Sequence, residues 1–129
     1  MAGPMISLSA SGKFAKTSAY LNKLKRNRIL AILNQYGPRG VEALKAATPI
    51  KSGETAAGWY YTTGQQNGQY YLDFHNSHVE DGQIIAILIQ YGHGTRTGGY
   101  VVGRDFINPI VQPLFDEIAK AVFEEVTKV

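Results

Sequence analysis

The stretch GWYYTTGQQNGQYYLDF, Gly58 to Phe74, constrains the fold more than any other part of the chain. Two runs rich in aromatic and β-branched residues flank Asn67-Gly68, a dipeptide that accepts the positive φ angles of a two-residue hairpin turn. The spacing predicts two antiparallel strands, with alternate side chains entering a core. Trp59 is then read either as a core anchor or as an exposed platform for stacking on bases. A third apolar run, IIAILIQY at Ile84 to Tyr91, is predicted as a third strand, and GYVV at Gly99 to Val102 as a short fourth. HNSHVEDGQ, between the second and third runs, reads as a polar loop.

Helical patterns flank this β-rich middle. Residues 13–25 place Phe14, Leu21 and Leu24 on one face. A second helix is predicted from Asn27, as N-cap, to Ala47, with Ile29, Leu33, Tyr36, Gly40, Leu44 and Ala47 in one stripe. Gly37-Pro38 interrupts it, and a kink and a full break are both open. Gly40, Ala43 and Ala47 are small enough for a neighbour to approach closely. Thr48-Pro49 ends the helix. The final helix has its start at Asn108 or Asp105, Pro109 in its first turn, and a stripe of Ile110, Val111, Leu114, Ile118, Ala121, Val122 and Val126 widened by Phe115 and Phe123. The expected architecture is one α+β domain over residues 1–129. It comprises an N-terminal arm (1–12, with MISL as a short strand), helices (13–47), a small curved antiparallel sheet of three to four strands (54–102) and a C-terminal helix (105–127) packed on the sheet.

Composition narrows the chemistry. With 129 residues and 44% apolar content the chain can bury a core without staples. It has no cysteine, which excludes disulfides and Cys-ligated metal or iron–sulfur centres. The N-terminus lacks the basic and apolar regions of an export signal, and IIAILI is too short to span a bilayer, so a soluble protein is expected. Charge is unevenly placed: residues 1–51 hold nine Lys or Arg against Glu42 alone, and residues 52–129 hold four against nine acids. Three readings are open: neutralisation within the fold, complementary faces for head-to-tail association, or a basic surface for nucleic acid.

The most conspicuous motif, QYGHGTRTGGYVVGRD from Gln90 to Asp105, fits neither phosphate-binding template. The dinucleotide fingerprint meets Thr97 where its last glycine belongs, and the P-loop spacing meets Tyr100-Val101 where Lys-Ser/Thr belong. Both templates open a helix, whereas a β-like segment follows here. The loop is therefore read as a connection between strands. His75, His78 and His93, with Asp73, Glu80 and Asp81, raise a metal reading, but their spacing suits polar loop residues better. No nucleophile elbow surrounds Ser52 or Ser77, and Glu124 and Glu125 point to different sides of a helix. The basic group Lys23, Lys25, Arg26 and Arg28 reads as a solvated face, a contact for an acidic partner, or a contact for a DNA backbone.

Four motifs stand in one order: YGPRGVEALKAATPIKSG (Tyr36 to Gly53), GWYY (Gly58 to Tyr61), IAILIQYGHGTRTGGYVVGRDFINP (Ile85 to Pro109) and VQPLFDEI (Val111 to Ile118). Together the chain, from about Phe14 onward, resembles the tail-completion or neck family of long-tailed bacteriophages, also described as head–tail joining proteins or minor tail components. The resemblance implies long N-terminal helices, a curved sheet and a C-terminal helix on it. It also implies a non-enzymatic virion protein without cofactors. Such a protein forms a ring, commonly of six subunits, between the tail tube or terminator and the neck connector, and double-stranded DNA passes through its opening without sequence-specific binding. The expected location is the virion, and the host cytoplasm during assembly.

On charge and loop position, the candidate interface residues are Lys23, Lys25, Arg26, Arg28, Lys51, Glu54 and Arg96. The loop from Pro49 to Gly58 is expected to order only on docking, for want of apolar anchors. Structural roles are expected for Gly53, Trp59, Tyr91, Gly92, Gly94, Asn108 and Pro109. Competing readings are a DNA-binding module on the basic helical face, a tail terminator, and a small hydrolase or nuclease using His75, His78 and His93.

Overall fold

The computed structural model describes residues 6–11, 19–49, 53–95 and 97–127, and side chains at Ile6 and from Arg26 onward. The order is β1 (Ile6–Ser11), α1 (Ala19–Ala47), α2 (Gly53–Ala57), β2 (Trp59–Gln66), β3 (Gln69–Asn76), β4 (Val79–Glu80), β5 (Gln83–Ile84), α3 (Ile85–Tyr91), β6 (Gly92–Gly94), β7 (Tyr100–Val102) and α4 (Asn108–Thr127). The fold is α+β. Its main sheet is three-stranded and antiparallel in the order β1-β3-β2, and β4-β5 and β6-β7 form separate hairpins.

The β2-β3 hairpin forms as its sequence predicts. Asn67 and Gly68 have φ of 53° and 76°, the signs a type I′ turn requires. Central β3 alternates strictly: Tyr70, Leu72, Phe74 and Asn76 are buried, and the residues between them are partly exposed. β1 pairs along the whole of β3, from Ile6 opposite Phe74 to Ser11 opposite Gln69. The expected N-terminal arm thus carries a sheet strand longer than MISL.

From Ala19 onward the two predicted N-terminal helices are one; residues 13–18, with Phe14, lie outside the described residues. Asn27 lies inside α1 and caps nothing, because its weak helix propensity is small against the cooperativity of an uninterrupted helix. Pro38 also lies within α1, so the break does not occur. The apolar stripe stays in phase across it, with Leu33 before and Gly40 and Leu44 after all buried in one core. That shared burial offsets the lost amide hydrogen bond. A Cβ on Gly40 would overlap the ring of Phe74, with Leu114 Cδ2 at 2.9 Å, so the missing side chain is what lets the helix sit on the sheet.

α4 packs chiefly along α1 and meets the sheet where Leu114 and Phe74 converge on Gly40. α1 covers the core face of β2 and β3, and the stripe of α4 lies along α1 and enters the same core as Leu72 and Phe74 of the sheet. Arg28 pairs with Glu125 and Arg39 with Glu117, each at 3.2 Å, so the two helices run antiparallel. Two pairs of opposite charges from the chain's halves therefore meet inside one molecule, in the manner of the first charge reading.

The predicted third strand is the largest correction. Only Gln83 and Ile84 are extended, and Ile85 to Tyr91 form α3. A short apolar run does not distinguish strand from helix by periodicity. Here Ala86 and Gln90, four residues apart, are its buried residues, which is helical spacing. The loop after β3 is itself a hairpin, turning on Asp81 and Gly82 with φ of 51° and 74°.

Candidate interaction surface

Three clusters of polar or exposed side chains surround the core. The first joins α2 to the end of β3. Thr55 is fully buried, its Oγ1 lies 2.7 Å from His78 Nδ1, and its carbonyl accepts from Asn76 Nδ2 at 2.7 Å. Ser77 N–H donates to the Gly58 carbonyl at 3.0 Å. The segment expected to order only on docking therefore contains a helix held by polar anchors. An apolar count misses them, since a buried threonine does the work of a buried leucine once its hydroxyl is bonded.

Within this cluster His78 Nε2 is sealed from solvent and lies 3.2 Å from a Glu54 carboxylate oxygen and 3.6 Å from one of Glu80. Neither contact has hydrogen-bonding alignment. The other two histidines are held elsewhere. His75 stacks on Tyr60 at 4.9 Å and has Nε2 2.9 Å from Thr62 Oγ1, and His93 lies in β6. Among the described residues, no group of three His, Cys, Asp or Glu side chains is placed to hold a metal ion.

Behind the sheet, Trp59 is a core residue, 4% exposed, with its ring edge-on to Phe106 at 6.5 Å. Its Nε1–H donates to Thr48 Oγ1 at 2.9 Å, and that hydroxyl donates to the Leu44 carbonyl at 2.7 Å. The base-platform reading is excluded by this burial. The Thr48 that ends α1 also ties the β2 strand to it.

The second cluster is the basic face of α1. Arg26 and Arg28 are exposed, and Arg28 is engaged with Glu125. Lys23 and Lys25 belong to α1, but their side chains, like Lys51 and Arg96 altogether, lie outside the described residues. Glu54 is exposed beside His78. The candidate interface residues thus do not gather into one described surface. Between α1 and α4 lies an open depression of about 300 Å³ lined by Tyr36, Glu117, Lys120, Ala121 and Glu124, with Arg39 stacked over Tyr36 at 4.7 Å.

The third cluster is the glycine-rich stretch, expected as a connection between strands with Arg96 at its tip. It is the β6-β7 hairpin, following α3 rather than a strand. Gly92 ends α3 at φ 80°, where a Cβ would meet the Val101 carbonyl oxygen at 2.5 Å and Gly103 N at 2.6 Å, so glycine is required. Gly94 and Gly53 have no such restraint: each lacks a positive φ and leaves a Cβ free of clashes. The Tyr91 side chain is exposed, so its expected structural role falls to its backbone carbonyl, which accepts from Tyr100 Oη at 3.3 Å. At the far end, Asn108 does not cap α4. Its own N–H is bonded by Asp105 Oδ1 at 3.3 Å, and Pro109 sits exposed in the first turn. Tyr91, Tyr100, Val101 and Val102 are all exposed, and together they form the apolar surface of this hairpin. The signal is present in the sequence as Tyr-Val-Val between glycines, a run read only as a short fourth strand.

No protein-family model matches the chain, and neither characterised proteins nor solved structures provide a significant match. No helix among the described residues is long and apolar enough to cross a membrane.

Proposed function

We propose that the chain is a structural subunit of a bacteriophage tail–neck junction, acting without turnover of any substrate. In this reading it forms a ring at the head-proximal end of the tail, joins the tail to the filled capsid, and leaves an opening for DNA. The observation that carries the reading is the exposed β6-β7 hairpin, where Tyr100, Val101 and Val102 stand consecutively in the open without a charge among them. Surfaces of that kind serve contact with other proteins. The order of motifs from Tyr36 to Ile118 supports the same reading.

The basic face of α1 gives less support to a DNA-binding module. Arg28 is held by Glu125, and a phosphate contact would have to compete with that pair.

The test is electron microscopy of lysates from a phage carrying an early stop codon in this gene. DNA-filled heads beside complete, unattached tails are expected. Normal virions would overturn the proposal, and tails of uncontrolled length would reassign the protein to tail termination.

A further inference from the structure

The β6-β7 hairpin is a sheet with open edges. Among the described residues no strand pairs with the outer side of β7. Tyr100, Val101 and Val102 are 65%, 46% and 80% exposed, so neither face of this strand is packed. β7 is only three residues long, but it carries neither the charge nor the proline that commonly guards an edge.

The ladder shows what that edge offers. Thr95 N–H donates to the Gly99 carbonyl at 2.9 Å, making Thr95–Gly99 a hydrogen-bonded pair. Alternation makes His93–Val101 the next such pair, so the N–H and C=O groups of Tyr100 and Val102 face outward. We infer that β7 pairs antiparallel with β7 of a second copy of this chain, about a two-fold axis at Val101, giving a four-stranded sheet β6-β7-β7-β6 across the two molecules.

The strand is self-complementary in that register. Tyr100 of each copy faces Val102 of the other, and the pair exchanges both N–H···O bonds. The aromatic–β-branched cross-strand contact is a favourable one. Val101 meets its own symmetry mate on the opposite face, in the closer, non-hydrogen-bonded spacing. With fully exposed aromatics at about 200 Å², Tyr91 and the three β7 side chains expose roughly 450 Å² per copy, which sets a ceiling of about 900 Å² on what the pair can bury. That area belongs to weak, reversible association. The pairing is a property of the free chain; it uses the same exposed hairpin as the tail-joining reading, so a ring contact at β7 would replace it on assembly, and the two are tested separately, in the free chain and in the virion.

Cysteine trapping reads this contact directly, because the chain has no cysteine of its own. Val101→Cys should oxidise to a covalent dimer at least about tenfold faster than Val79→Cys, a comparably exposed control at 45% on the other short hairpin. Sedimentation of the unmodified chain at high-micromolar concentration should approach twice its 14.1 kDa mass. Val101→Lys and Val101→Glu should each sediment as monomers, since like charges would meet on the axis, and an equimolar mixture should recover the dimer. The recovery shows that both variants fold. A wild-type monomer, a dimer indifferent to Val101→Lys, or equal trapping at 79 and 101 would overturn the inference. A wild-type monomer that still captures an extended peptide at β7 would assign the edge to a foreign strand instead.

Discussion

Gln90 Nε2 donates to Asp105 Oδ1 at 2.7 Å, while the same side chain's Oε1 accepts from the N–H groups of Phe106 and Ile107 at 3.1 and 3.0 Å. One buried amide thus joins the last turn of α3 to the start of α4. Asp105 in turn accepts from Asn108 N–H, so Gln90 orients the carboxylate that caps the helix.

Replacing Gln90 with Leu keeps the size but strands two buried amides. Each unsatisfied donor costs about 1–3 kcal/mol, so Gln90→Leu should lower unfolding free energy by roughly 2–6 kcal/mol in urea denaturation. Loss of less than about 0.5 kcal/mol would show that the two N–H groups find other acceptors.

Trp59→Ala should cost about 3–5 kcal/mol and risks unfolding the domain, because it empties the space between Phe106 and the end of α1. Trp59→Phe separates volume from hydrogen bonding. It leaves Thr48 Oγ1 without its indole donor and should be the milder change, measured by thermal unfolding of both variants.

Gly40→Ala gains about 1 kcal/mol of helix propensity but drives a methyl into Phe74 and Leu114. Phe74 is fully buried and has nowhere to go, so a net loss of about 1–3 kcal/mol is expected. At Gly37 the opposing ring is Tyr61, which is only partly buried and can swing aside. Gly37→Ala should therefore be the better tolerated, and equal melting temperatures for the two would contradict this packing account.

Burial raises the Tyr70 phenol above its ordinary value, with Arg26 pulling weakly in the opposite direction. The folded state thus holds the proton more tightly than the unfolded chain. This contribution to stability is fully present below about pH 10, the ordinary phenol value, and is lost as pH rises through the raised folded value. Alkaline titration followed by circular dichroism should show unfolding in that range, shifted to higher pH in Tyr70→Phe.

Much of the architecture follows from residue order. Asn67-Gly68 can turn a hairpin unaided, and the stripes of α1 and α4 need only a periodicity. The failures share a cause. IIAILIQY carries no period long enough to choose between strand and helix, and the choice fell to Gln90, whose amide finds its partners fifteen to seventeen residues further on. Thr55 looked like a loop residue because its anchors, Asn76 and His78, arrive from another strand end.

The sequence by itself determined the α+β class, the central hairpin, the burial of one face of each long helix, and the absence of thiol chemistry. Those properties depend on local periodicity, turn geometry and composition. Only the tertiary structure decided that the opposite charges of the two halves meet between α1 and α4, that α3 is helical, and that Tyr100, Val101 and Val102 stay outside the core. Each of these depends on which groups lie opposite one another after the chain has closed on itself, and side-chain distance is not written in sequence separation.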